Sequence, residues 1–354
     1  MTTPFRPRGA WTALVTPFTE QGKFDSAAYS RLIQFQLAEG IDGLVPCGTT
    51  GESPTLTWEE QGAALELAVR HAQPRQIGVL AGTGSNNTLE AIEGTRDAWL
   101  RGASAALLVD CYYNGPSSLE LRTEYYERIL EAVGDIPIVP YVIPGRTGCA
   151  LAPEDLAVLH RQAPERVPAV KSATGDLGWM RRERELAGST LSILSGDDVL
   201  TQRMMSDPTI AASGVVSVMA NLVPRAVRDL CAACKHGENA RAEELAGVLE
   251  PLFELVGVKA PGRRAVPGVG VVQVEDRFRN PVPVKTMMAG LGMIGPSVRP
   301  PLGKMTAPAV AQCREALTRV YESAPQVLSP IEAAFGIHIS RQLADEQAWS
   351  ALVR

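Results

Sequence analysis

Residues 43–81, GLVPCGTTGESPTLTWEEQGAALELAVRHAQPRQIGVLA, decide the fold. The stretch opens on an apolar run at 43–47 and closes on another at 77–81, each with the length and composition of a buried strand. Between them Thr57 stands three residues before Glu60, the spacing of a capping box at a helix start. Strand, helix and strand in that order form a crossover unit, which lays its two strands parallel.

Outward from this unit the alternation repeats. Further apolar runs at 13–15, 105–109, 136–142, 169–171, 192–194 and 214–218 bring the candidate strands to eight. Ser117 precedes Glu120 by three, a second capping box, and Leu121, Tyr125 and Ile129 then recur at the four-residue spacing of one buried helix face. Eight alternations specify a parallel α/β architecture, and eight strands are the number that closes a (β/α)8 TIM barrel. An open doubly wound sheet is the alternative. It needs fewer strands and usually begins with a glycine-rich phosphate turn, which the first strand lacks.

A TIM barrel takes about 250 residues, and the chain has 354. After Asn221 the pattern changes to helices alone, with Leu245, Val248, Leu249 and Leu252 on one stripe and a later helix around 309–321. We therefore expect a barrel domain over 1–223 and a C-terminal helical domain over 224–354. Residues 257–278 mix Pro, Gly, Arg and Val without a helical period, so 259–278 reads as an insertion or long loop. A tail over 325–354 holds an apolar patch at 331–335 and a last helix near 341–352.

Composition narrows the function. Hydrophobic residues at 45% and charged residues at 21% describe a soluble globular chain. A net charge of −5 leaves no basic excess for nucleic acid or an anionic membrane. No run approaches a membrane span, and the stretch after Arg6 and Arg8 is broken too early by Thr16-Pro17 for a signal peptide, so a cytoplasmic protein is expected. Six cysteines are too sparse for a disulfide framework. Cys231 and Cys234 fall with Val227 and Leu230 on one apolar helical stripe, the pattern of core packing rather than of a metal half-site. His71, His160, His236 and His338 show no ligand spacing and read as surface or capping residues; neither a metal nor a cofactor is expected.

In such a barrel, chemistry stands at the carboxyl ends of the strands. There lie Gly48-Thr49-Thr50-Gly51-Glu52-Ser53, Tyr112-Tyr113-Asn114, Tyr141 with Pro144-Gly145-Arg146-Thr147-Gly148, Lys171 with Ser172-Ala173-Thr174-Gly175, and Ser195-Gly196-Asp197-Asp198. Lys171 follows Ala169 and Val170, and an amine in apolar surroundings is favoured in its neutral, nucleophilic form, able to attack a carbonyl as a Schiff base. A lysine snorkelling to solvent is the other reading of that position. The company tips the balance: hydroxyls of Thr49, Thr50, Tyr113 and Tyr141 converge on the same mouth to relay protons, and Arg146 offers a fork for a carboxylate. Adjacent Asp197 and Asp198 read as caps of the following helix.

On these motifs, together with Asn280-Pro281-Val282-Pro283-Val284-Lys285, the sequence resembles the pyruvate-dependent class I aldolase superfamily of dihydrodipicolinate synthase and N-acetylneuraminate lyase over residues 9–321. Arg146 makes it most similar to the 4-hydroxy-tetrahydrodipicolinate synthases. The resemblance implies condensation of pyruvate with L-aspartate 4-semialdehyde toward lysine and diaminopimelate. Lys171 would form the imine, Tyr141, Thr50 and Tyr113 the proton relay, and Thr49 and Thr50 the pyruvate carboxylate site. Gly196 and Val216 would offer backbone groups, and Arg146 would hold the semialdehyde carboxylate. Tyr113 would come from a neighbouring subunit of a homo-oligomer, a tetramer or a dimer.

The resemblance also implies lysine inhibition at Ser53, Trp58, Asn86, Glu90 and Tyr112; ordinary polar interface residues are the other reading. The chain departs from the family pattern at Val142, Cys111 and Ser172, where Asn, Pro and Glu are usual, and at Pro140, inside a central strand that needs its amides. Two further readings stay open. One is another 2-oxo acid aldolase or dehydratase, like N-acetylneuraminate lyase or a sugar-acid aldolase; the other is a catalytically silent regulator that binds a 2-oxo acid or amino acid.

Overall fold

The computed structural model describes residues 5–354. Eight parallel strands close into a barrel in sequence order: β1 (Gly9–Ala13), β2 (Gly43–Val45), β3 (Gly78–Gly82), β4 (Ala105–Val109), β5 (Ile138–Val142), β6 (Ala169–Ser172), β7 (Ser192–Ser195) and β8 (Gly214–Ser217). Closure comes from β1 pairing with both β2 and β8. The open doubly wound alternative is thereby excluded.

Alternation along the strands sorts the side chains into two layers. Trp11, Leu80, Leu107, Val139, Tyr141, Leu194 and Val216 fill the barrel interior. Trp11 is the largest of them and sits at the bottom because its neighbours carry no side chain. A Cβ on Gly43 would lie 2.1 Å from its indole ring, and one on Gly78 2.6 Å. Outside the barrel, helices such as Ser26–Ala38 and Trp58–Ala72 cover the strands, and both expected capping boxes form, at Thr57/Glu60 and Ser117/Glu120.

Several boundaries differ from the sequence reading. The first strand is Gly9–Ala13 rather than 13–15, because beyond Ala13 the chain leaves the β1–β8 ladder and Val15 N donates to the Asn221 side chain. The second stops before Pro46, which has no amide to give, and Cys47, whose φ is +56°. Pro140 is tolerated in β5 because the ladder to β6 is registered only from Tyr141 onward. Residues Leu121–Tyr126 form a π-helical turn, which swings both Tyr125 and Tyr126 onto the buried face.

The C-terminal region is helical, as expected, apart from one segment. The segment read as an insertion or loop at 259–278 is a two-stranded antiparallel ribbon, β9 (Gly257–Val266) and β10 (Gly270–Arg279). Around it lie helices Pro224–His236, Asn239–Phe253, Val282–Gly290 and Ala307–Ser323. The tail adds Ser329–Phe335, Ile339–Ala344 and Glu346–Ser350; the single last helix expected near 341–352 is split at Asp345, whose carboxylate caps the final turn at Ala348 N, 2.9 Å. Phe335 packs edge-on against Phe35 at 5.4 Å, so the tail lies on the barrel's first helix. Cys231 and Cys234 are buried in the same apolar cluster. His160 is buried rather than superficial, held between Val167 O and the Thr190 hydroxyl, both at 2.8 Å.

A buried ion pair helps tie the two regions together. Lys285 Nζ donates to Glu52 Oε1 at 2.6 Å and to Thr16 O at 2.8 Å, with both side chains out of solvent. Burial pushes the Lys285 ammonium down to about 8, against the opposing pull of Glu52. Lys285→Ala strands a buried carboxylate and is expected to destabilise the protein by roughly 3–5 kcal/mol. Pairing Lys285→Met with Glu52→Gln should recover most of that loss in denaturant unfolding, whereas a wild-type midpoint for the single variant would show that the pair ties nothing.

Candidate active site

The barrel's carboxyl end opens into a cavity of about 310 Å³ lined by Thr49, Ser53, Tyr112, Tyr141, Arg146 and Asn280, among others. Lys171 stands just behind its wall. Parallel register sets Tyr141 on β5 beside Lys171 on β6, and alternation points both inward. The Lys171 Nζ lies 4.0 Å from the Tyr141 ring centroid, with the lysine only 5% exposed. An amine so placed touches the π-face of a phenol at the cavity edge, and the snorkelling alternative does not hold. A Cβ on Gly196 would lie 3.2 Å from Lys171 Cε, so the glycine leaves the lysine stem its room.

Thr50 is buried and accepts a hydrogen bond on Oγ1 from Asn280 Nδ2 at 2.9 Å. The same residue's backbone carbonyl accepts from Arg146 Nη2 at 2.8 Å. Asn280 therefore joins two residues picked out in the sequence, where it stands only as the first residue of the Asn280-Pro281 motif. Withdrawal from water lowers the proton affinity of the Arg146 guanidinium; the Tyr141 phenol opposes this, and Arg279 and Arg277 add to it. Val216 lies in the barrel interior opposite Trp11.

Asp197 and Asp198 are not helix caps. Asp198 turns away to accept Val218 N and Met219 N at 3.0 and 3.1 Å, fixing the turn after β8. Asp197 keeps Oδ2 buried without a partner; burial raises its carboxyl and the nearby Lys171 lowers it.

Tyr113 is not in the cavity. It is 93% exposed and has a left-handed φ of +78°, a conformation that costs a non-glycine residue energy and suits a side chain aimed away from its own barrel. Tyr112 lines the cavity with Ser53, and its amide donates to Asn86 Oδ1 at 2.8 Å. Burial raises the Tyr112 phenol and Glu90 adds to that, which brings Asn86, Glu90 and Tyr112 into one cluster. Trp58, 55% exposed, stands apart over Gly94.

The match to known proteins follows the same residues. The family model described as the dihydrodipicolinate synthetase family matches residues 6–267. The chain belongs to that family. Its members are enzymes of the lyase class, and so is this chain. A curated relative, the 4-hydroxy-tetrahydrodipicolinate synthase of Maridesulfovibrio salexigens, is 38% identical over 295 residues, 83% of this chain and 92% of its own. Among solved structures, the chloride-inhibited dihydrodipicolinate synthase of Acinetobacter baumannii, complexed with pyruvate, superposes with a TM-score of 0.77 at 30% identity, covering 88% of this chain and 98% of that one. The Cyanidioschyzon merolae enzyme with lysine bound gives 0.78 at 31%, with the same coverage.

Behind the site lies a group that no sequence motif singles out. Ser172, next to Lys171 but on the outer face of β6, donates to Glu183 Oε1 at 3.1 Å, and Trp179 Nε1 donates to the same oxygen at 3.0 Å. Glu183 is fully buried, and burial pushes its carboxyl up to about 8. A carboxyl raised in the folded state contributes stability that is complete below its unfolded value and lost as pH rises through the folded one. Wild type should therefore lose stability relative to Glu183→Gln between pH 5 and 9, by up to roughly 4 kcal/mol. Denaturant midpoints that run parallel for the two proteins across that range would contradict a neutral Glu183.

Proposed function

We propose that the protein is a Schiff-base-forming class I aldolase that condenses pyruvate with L-aspartate 4-semialdehyde to 4-hydroxy-tetrahydrodipicolinate, on the route to lysine and diaminopimelate. The observation that carries this reading is the buried Lys171 amine, 4.0 Å from the ring centroid of Tyr141, which lines the cavity. The Lys171 amine attacks the keto carbon of pyruvate, and the carbinolamine loses water to give an imine. Loss of a methyl proton yields an enamine, whose carbon attacks the aldehyde; the amine of the semialdehyde then attacks the imine carbon, which closes the ring and displaces Lys171. Tyr141 and Thr50 carry the protons between these steps.

Thr49 and Thr50 hold the pyruvate carboxylate, with backbone groups of Gly196 and Val216 beside them, and Arg146 holds the carboxylate of the semialdehyde. Asn280 orients both Thr50 and Arg146 by its two hydrogen bonds. Tyr113 completes the relay from a second copy in a homotetramer or dimer, a role its exposed placement supports. The pyruvate-bound Acinetobacter relative supports the first substrate. L-Lysine acts as an inhibitor at Ser53, Trp58, Asn86, Glu90 and Tyr112, supported by the lysine-bound Cyanidioschyzon relative and by the clustering of three of these residues. The division at 223/224 separates the barrel, which carries Lys171, from the region that carries Asn280.

The experiment is turnover of pyruvate with aspartate semialdehyde, with and without lysine. We expect robust product formation, inhibition by lysine, and relief of that inhibition in Glu90→Ala. Arg146→Ala should lower kcat/KM for the aldehyde about 10- to 100-fold, the worth of a charge-assisted hydrogen bond. Consumption of sugar acids or sialic acid in preference to the semialdehyde would move the enzyme elsewhere in its superfamily, and binding without turnover would make it a regulator.

A further inference from the structure

Alternation gives the β9–β10 ribbon two faces. One carries Val258, Ala260 and Phe278 and joins the core. Its seat is fixed from helix Ala307–Ser323, where Gln312 Nε2 donates to Lys259 O at 3.0 Å. The other face carries charge: Lys259 stands opposite Arg277, Arg263 opposite Gln273, and Glu275 and Arg279 share that side. Lys259 and Glu275 neutralise each other at 2.9 Å. Among the described residues, Arg277 and Arg279 enter no ion pair.

The end of this charged face meets the cavity. Arg279 Nη1 donates to Gly145 O at 2.8 Å, while from the next residue Arg146 Nη2 donates to Asn280 O at 2.8 Å. Two guanidiniums are thus crossed between the same two short segments, 145–146 and 279–280. Arg277 lies two residues further out on the same face, and the like charges of Arg279 and Arg277 both bear on Arg146. Three cations are gathered at one rim, and Glu275, the acid on the same ribbon face, is paired with Lys259. Such an arrangement repels itself and is relieved by an anion, and a one-signed charge around a cleft raises the local concentration of oppositely charged substrate.

We propose that Arg277 and Arg279, together with Arg146, form a cationic rim that selects the second substrate by its carboxylate, before its carbonyl reaches Lys171. The inference rests on the aldolase reading and deepens it. The ribbon residues act on the approach and retention of the aldehyde acid, while bond making stays with Lys171 and Tyr141. Net charge is the property read: a monoanionic aldehyde acid gains more from the rim than a zwitterionic one that carries an ammonium as well.

The test is steady-state kinetics on the full chain with aspartate semialdehyde and with succinate semialdehyde, which lacks the ammonium. The proteins are wild type, Arg277→Gln/Arg279→Gln, and the charge-keeping Arg277→Lys/Arg279→Lys. Two exposed charges predict an aldehyde KM raised about three- to tenfold in the glutamine variant. The rise should be larger for succinate semialdehyde than for aspartate semialdehyde, larger than any shift in the pyruvate KM, and accompanied by a kcat change of less than twofold. It should shrink at high salt and be absent in the lysine variant. An unchanged aldehyde KM, or a rise that is insensitive to salt and persists with lysines, overturns the rim while leaving the aldolase reading intact. No turnover by wild type with either aldehyde overturns the aldolase reading and the rim with it.

Discussion

The Glu52–Lys285 pair is the contact on which the site depends, because it pins a barrel loop from the other half of the chain. Glu52 ends the loop that carries Thr49 and Thr50, and its own φ of +57° is a conformation that must be held in place. Lys285 takes one carboxylate oxygen and the Arg299 amide takes the other at 3.1 Å. Arg299 then reaches Glu60 at the start of the following helix, and both cations lie 4.3 Å from the Phe18 ring. Two buried charges are costly to desolvate, and that cost is offset here by the added hydrogen bonds of Lys285 to Thr16 O and of the Arg299 amide to Glu52 as well as by the Coulomb attraction of the pair.

From that anchor the rest of the mouth is determined. The chain that delivers Lys285 also delivers Asn280, which bonds Thr50 and Arg146, so loops from β2 and β5 are fixed relative to each other by a residue outside the barrel. The ribbon leads straight into this junction through Arg279. The C-terminal region is therefore part of the site, and a barrel without it would lack both the hydrogen bond to Thr50 and the support under Glu52.

The barrel was legible in the sequence because a buried parallel strand leaves a short apolar run, and eight such runs alternate with amphipathic stretches. Lys171 and Tyr141 were legible because each ends one of those runs, and strand register alone brings them together. The ribbon was not, although Val272, Val274 and Phe278 alternate with Gln273, Glu275 and Arg277; Pro261, Pro267 and the surrounding glycines mask the period, and a ribbon with one solvated face has no long apolar run. Asp198 and Glu183 were misread or missed for a different reason. Their partners, Val218 and Met219 for one and Ser172 and Trp179 for the other, are set by packing between elements, which no local pattern encodes.

The central claim is that the Lys171 amine forms a covalent imine with pyruvate. Incubating the full chain with pyruvate and borohydride, then mapping peptides by mass spectrometry, tests it directly. The account predicts a reduced pyruvyl adduct on the peptide containing Lys171, absent from Lys171→Arg. An unmodified Lys171 in a protein that still turns over pyruvate, or an adduct on another lysine, would contradict it.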